Sequence, residues 1–154
     1  MFNQSFIRLI FWIISLQVVS GLLGVFTQLN RSIIYPSYIK STLTPPDYVF
    51  GIVWPILYIS IAIAGWWIWE QSLSTLIKRL YLTQLFLNWS WTPIFFYLGQ
   101  PLLALIILAA LLISLALLQL QLRKETFMIS LLLLPYLLWS SFALYLNYII
   151  AINI

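Results

Sequence analysis

Residues 102–122 read LLALIILAALLISLALLQLQL, a run of 21 positions without a charge. A helix of that length rises about 30 Å, the thickness of a bilayer's hydrocarbon core. The same reading extends outward to residues 9–27, 48–69, 80–98 and 127–152. Composition agrees: the 154 residues are 64% hydrophobic and 6% charged, with a mean hydropathy of +1.05, whereas a soluble domain carries about 25% charged residues. No stretch sustains the ten-residue alternation of a membrane β-strand. The expected fold is an all-α membrane protein, a single bundle of five transmembrane helices forming one domain over residues 1–154.

The first apolar run continues well past the 7 to 15 residues of a signal peptide and is read as a retained span. Basic residues then set orientation. Arg8, Lys78, Arg79, Arg123 and Lys124 flank one side of the bundle, against Arg31 and Lys40 on the other, and the richer side is expected to face the cytoplasm. This places the N-terminus in the cytoplasm, with the first loop and the C-terminus outside. Residues that flank spans do not build a soluble basic patch, so no nucleic-acid partner is expected. Cysteine and histidine are absent, which removes thiolate chemistry, disulfides and the usual metal ligands. Asp47, Glu70 and Glu125 fall at helix ends on two sides, which argues against acid–base or metal-assisted hydrolysis. No metal site is expected.

Where the spans depart from plain lipid-soluble helix, they do so with proline, tryptophan and carboxamides. Pro55, Pro93 and Pro135 lie inside spans and are expected to kink them. The connection from Gln28 to Thr44 is long for a compact bundle and reads as a lid over one end. It leads into Thr44, which can cap a helix whose first turn is Pro45, Pro46 and Asp47. Trp12, Trp66, Trp67 and Trp69 lie near helix ends, as interface residues do. Trp54, Trp91 and Trp139 lie deeper. At 100° per residue Asn88, Trp91 and Phe95 share a face, as do Phe50, Trp54 and Tyr58, and Tyr136, Trp139, Ala143 and Asn147. These polar and aromatic stripes should point inward. Small residues at Ser20 and Gly24, Ser60 and Ala64, and Ala110 and Ser114 have the spacing of close helix contacts. On spacing alone, core packing and a ligand pocket weigh equally.

The pieces SYIKSTLTPPDYVFGIVWPILY (37–58), LNWSWTPIFF (87–96) and LPYLLWSSFALYLNY (134–148), in this order, resemble the translocator protein family, also called tryptophan-rich sensory proteins or peripheral benzodiazepine receptors. The resemblance rests on Lys40, Pro45-Pro46, Val53-Trp54, Leu57-Tyr58, Leu87-Asn88, Trp91, Pro93, Phe95-Phe96, Pro135-Tyr136, Trp139, Phe142-Ala143 and Leu146-Asn147. It implies a five-helix bundle, commonly a homodimer; the expected location is the inner membrane of a bacterium. It also implies a pocket that binds porphyrins such as protoporphyrin IX and other flat hydrophobic molecules, with Trp54, Trp91 and Trp139 as its tryptophans.

On this reading the ligand-binding residues are Trp54, Tyr58, Asn88, Trp91, Phe95, Tyr136, Trp139, Ala143 and Asn147, with Arg31 and Lys40 in the lid for the propionates. The porphyrin is ligand, not required cofactor, and the other partner is membrane lipid. Two alternatives come with the resemblance: light- and oxygen-dependent porphyrin degradation, with Trp54 and Trp139 at work, and a stress-signalling subunit without transport activity. The chain departs from the family at Ile34-Tyr35, Lys40-Ser41 and Leu43, where the lid is poorer in aromatics. It also departs at Leu103, where some members have a pocket tryptophan. The sterol motif expected near Tyr148 lacks its basic residue.

Overall fold

The computed structural model describes residues 3–154, with the backbone alone for Ile34. It is helical, with no strand among the described residues. The helices are α1 (Gln4–Ile34), α2 (Asp47–Glu70), α3 (Thr75–Thr92), α4 (Pro101–Glu125), α5 (Phe127–Leu132) and α6 (Leu134–Ala151). A π-helical turn, Pro93–Tyr97, extends α3, and a 3₁₀ turn, Tyr35–Ser37, follows α1. By length and composition α1, α2, α4 and the α5–α6 pair can each cross a membrane. The α3 segment is the least apolar, since it carries Lys78, Arg79, Gln84 and Asn88.

Several boundaries differ from the expectation, α3 beginning at Thr75 among them, and three have a clear local reason. α1 runs on through Arg31 to Ile34, so the irregular part of the first connection shrinks to residues 38–46. Asn3 caps α1, accepting a hydrogen bond from the Ser5 N–H at 3.1 Å. α2 starts at Asp47 with Pro46 in the capping position; Thr44 instead donates its backbone N–H to the Ser41 carbonyl at 3.0 Å, closing a turn. The last span is broken at Leu133. Pro135 cannot donate to the carbonyl of Leu131, and α6 restarts with that proline in its first turn, where a missing N–H is tolerated.

The core is built by α2, α3, α4 and α6. It is centred on Tyr58, Ile61, Ile68, Tyr81, Leu111, Leu115, Leu118 and Tyr136, all essentially inaccessible. A smaller cluster of Phe95, Ala104 and Ile150 carries the lid residues Tyr35 and Tyr38. α1 stands apart from this, since Leu16 is its one buried hydrophobic residue among those described. Polar contacts hold it to α2 instead. Arg8 donates to both carboxylate oxygens of Glu70, at 3.0 and 2.7 Å, and Arg31 pairs with Asp47 at the opposite end. Between them Gln17 Nε2 donates to the Pro55 carbonyl at 2.7 Å. The two helices are therefore antiparallel neighbours tied at both ends and in the middle.

Candidate functional site

Between α1 and the rest of the bundle lies a cavity of about 340 Å³, within the size range of small-molecule sites. Trp54 and Tyr58 reach it from α2, Asn88 and Trp91 from α3, Phe95 and Phe96 from the π-helical turn, and Ala143 and Asn147 from α6. Arg31 and Tyr35 stand at its lid end. Seven of the nine residues expected to bind ligand therefore share one cavity, together with Arg31. The other two do not line it. Tyr136 lies beneath, fully buried, its ring edge-on to Trp54 at 6.4 Å. Trp139 packs edge-on against Phe50 at 5.6 Å and lies tilted against Phe142 at 5.7 Å. Phe50 faces the cavity and Trp139 fills the α2–α6 seam behind it. Lys40 is also outside; its ammonium lies over the Tyr35 ring, 4.5 Å from the centroid.

The polar groups are committed to one another. Tyr58 Oη donates to Asn88 Oδ1 at 2.5 Å, Asn88 Nδ2 donates to Tyr136 Oη at 3.0 Å, and Tyr136 Oη donates to Gln84 Oε1 at 2.9 Å. This chain links Tyr58, Asn88, Tyr136 and Gln84 across three helices and gives each a partner in the core, as burial requires. Asn88 is thereby fixed by the protein, with one N–H and one lone pair to spare. A second chain orients Trp91. Its Nε1–H donates to Asn147 Oδ1 at 2.9 Å, and Asn147 Nδ2 donates to the Pro101 carbonyl at 2.8 Å. Trp91 also stacks on Phe95, with centroids 5.2 Å apart and planes 24° from parallel. Asn147 is thus a positioning residue for Trp91 as well as part of the wall.

The π-helical turn explains why both Phe95 and Phe96 line the cavity. Pro93 denies the Trp89 carbonyl its helical donor, and the widened turn closes instead with Leu98 N donating to the Pro93 carbonyl at 3.0 Å. Wider turns of this kind advance each side chain by a smaller angle, so two neighbours can share a face. Trp89, in contrast to Trp91, does not line the cavity and packs against the main core.

At the lid, Tyr35 packs against Tyr38, Phe95 and Phe96 with centroids 5.7–6.4 Å apart. The Arg31 guanidinium lies 5.3 Å from its centroid. Burial, opposed by the nearby Arg31 charge, raises the Tyr35 hydroxyl above its ordinary pKa. The following stretch is tied down where the Ser41 hydroxyl meets the Tyr145 hydroxyl at 3.0 Å.

The wall that sequence reasoning missed is α1. Gln17, Ser20, Gly21, Gly24, Thr27 and Gln28 all face the cavity. Their signal was present, since these positions recur every three or four residues and keep one face of a greasy helix small and polar. Ser20 and Gly24 have the spacing of a helix-contact pair. Yet a Cβ added at Gly21 or Gly24 would meet nothing within 4 Å, so this face borders open space instead of a neighbouring helix. Among the described residues no cluster of His, Cys, Asp and Glu could hold a metal ion.

The model of the TspO/MBR family matches residues 12–152. The chain belongs to the TspO/MBR family. It is 36% identical over 132 residues to Tryptophan-rich protein TspO of Chlorobaculum tepidum, covering 81% of this chain and 82% of that one. With Tryptophan-rich protein TspO of Archaeoglobus fulgidus it shares 33% identity over 149 residues, 96% and 97% of the two chains. The human Translocator protein is 32% identical over 119 residues, covering 74% of this chain and 70% of the relative. This TspO/MBR chain is accordingly an integral membrane protein by its apolar helices and by its relatives. The cavity described above lies within the matched residues.

Proposed function

We propose that this protein is a membrane receptor or carrier that binds tetrapyrroles such as protoporphyrin IX, or similarly flat hydrophobic molecules, between α1 and the rest of the bundle. The observation that carries this reading is the convergence of Trp54, Trp91, Phe95 and Phe96 from three segments on one cavity. A flat ring placed there gains about 0.5–1.5 kcal/mol per aromatic contact beyond simple burial. Arg31 at the mouth is the cation placed to meet an acidic edge, once Asp47 yields it. In this reading α3 with its π-helical turn is the fifth span, and the basic flanks put the N-terminus on the cytoplasmic side.

Titration of the detergent-solubilised protein with protoporphyrin IX, followed by quenching of tryptophan fluorescence, tests this. Saturable binding that weakens in Trp91→Leu and in Trp54→Leu is expected. Equal affinity in wild type and both variants, with unchanged melting temperatures, would remove the cavity as the site.

A further inference from the structure

Pro55 lies in the interior of α2. A proline has no N–H, so the carbonyl one turn earlier, that of Gly51, lacks the donor a helix ordinarily supplies. Within a span a freed carbonyl must be met by protein or by whatever occupies the adjoining space. Gly51 and Pro55 stand one turn apart on one face, and both line the cavity. A Cβ built on Gly51 would meet nothing within 4 Å, so at this position the helix borders open space. Gln17, the side chain that crosses from α1 at this level, gives its Nε2–H to the Pro55 carbonyl instead. Among the described residues no side chain donates to the Gly51 carbonyl.

We propose that the Gly51 carbonyl is a ligand subsite: it accepts a hydrogen bond from bound molecules, so the cavity favours flat, largely apolar rings that carry an N–H or O–H donor at their edge. This rests on the reading of the cavity as a ligand site and adds a selection rule to it. Aromatic faces on α2, α3 and the π-helical turn hold the plane of the ring. The backbone acceptor on the α1–α2 side reads one edge. The amide oxygen of Gln17, whose nitrogen is already committed, is a rival acceptor on the same side, and the experiment has to tell the two apart.

Carbazole and N-methylcarbazole share one ring system and differ at a single N–H. Affinities of both, measured by fluorescence quenching in detergent, should be compared in wild type, Pro55→Ala, Pro55→Leu and Gln17→Met, with melting temperatures recorded. Taking the ratio of the two affinities within each variant and comparing it across variants cancels their different partitioning into micelles. The expected preference for carbazole is about fivefold in wild type relative to the Pro55 variants, the size of one buried neutral hydrogen bond. It should vanish in both Pro55→Ala and Pro55→Leu, which restore the N–H that Gly51 lacks. Because alanine enlarges the space and leucine does not, loss in both points to the hydrogen bond and not to room. Either variant alone decides the matter if the other does not fold. The preference should survive Gln17→Met.

An unchanged ratio in the folded Pro55 variants, or loss of preference in Gln17→Met alone, overturns the Gly51 subsite. Binding of protoporphyrin IX with neither carbazole bound, or with both bound alike, overturns it too while leaving the cavity reading intact. Failure of all three molecules to bind wild type removes both.

Discussion

Gly65 decides how closely three helices meet. A Cβ there would lie 2.3 Å from Tyr81 Oη and 2.7 Å from a ring carbon of Trp12. The Tyr81 hydroxyl, fully buried, uses the vacated space to donate to the Ile61 carbonyl at 2.8 Å. Gly65→Ala must push α1 or α3 outward, and a loss of about 1–3 kcal/mol is expected, read as a lower melting temperature with ligand affinity changed little. The two deep tryptophans make the opposite pair. Trp91→Leu should weaken porphyrin binding by about 1 kcal/mol or more, whereas Trp139→Leu, one layer behind Phe50, should lower thermal stability first. Comparable losses of affinity from both would show that Trp139 reaches the ligand. Helical spacing and depth picked out both tryptophans, because both lie on the inward side of their helices. What spacing does not carry is which neighbour fills the gap, and for Trp139 that neighbour is Phe50.

Prolines shaped the helices in ways their positions announced only in part. That Pro55, Pro93 and Pro135 would disturb spans follows from the missing N–H. The response differs at each site, because it depends on tertiary partners: α2 continues through Pro55, α3 widens after Pro93, and the last span breaks before Pro135. The widened turn is the one that matters for the cavity. Pro93→Ala restores a donor for the Trp89 carbonyl and should let α3 continue as an α-helix, turning Phe96 away from the cavity. Porphyrin affinity should fall while melting temperature holds or rises. A crystal structure of the variant that keeps the wide turn would show that packing of Phe95 and Phe96 under Tyr35, and not the proline, imposes it. α1 is longer than its apolar run for a related reason. Residues 28–34 look like loop because they mix polar and apolar types, yet Asn30 folds its side chain back onto its own helix, donating to the Phe26 carbonyl at 2.8 Å, and Arg31 finds Asp47.

For the bundle as a whole, the apolar runs made the architecture legible before any contact was known. The cavity was legible only on three of its sides. α1 was read as plain span because its long apolar stripe, including Phe11, Leu22, Leu29 and Ile33, dominates its composition; that stripe is exposed and faces away from the bundle. The basic flanks predict the orientation of the whole chain, with the C-terminus outside. A cysteine appended after Ile154 should react with an impermeant reagent in intact cells, or in spheroplasts where an outer membrane intervenes. Protection until lysis would invert the assignment.

The way α1 is fastened has a mechanical consequence. Its end ties are ion pairs at least partly open to solvent, and such pairs weaken as salt rises. Its middle tie, Gln17 to the Pro55 carbonyl, is an uncharged hydrogen bond and does not respond to salt in that way. The Arg8 end keeps a second, uncharged tie, from Trp66 Nε1–H to the Ser5 carbonyl at 3.1 Å, so α1 is a rod pinned along its first half and loosened only at its Arg31 tip. Such a rod swings as a hinged arm: the spin-label distance from the Arg31 end of α1 to α4 should lengthen when Asp47 is replaced by asparagine, while the distance from the Arg8 end holds.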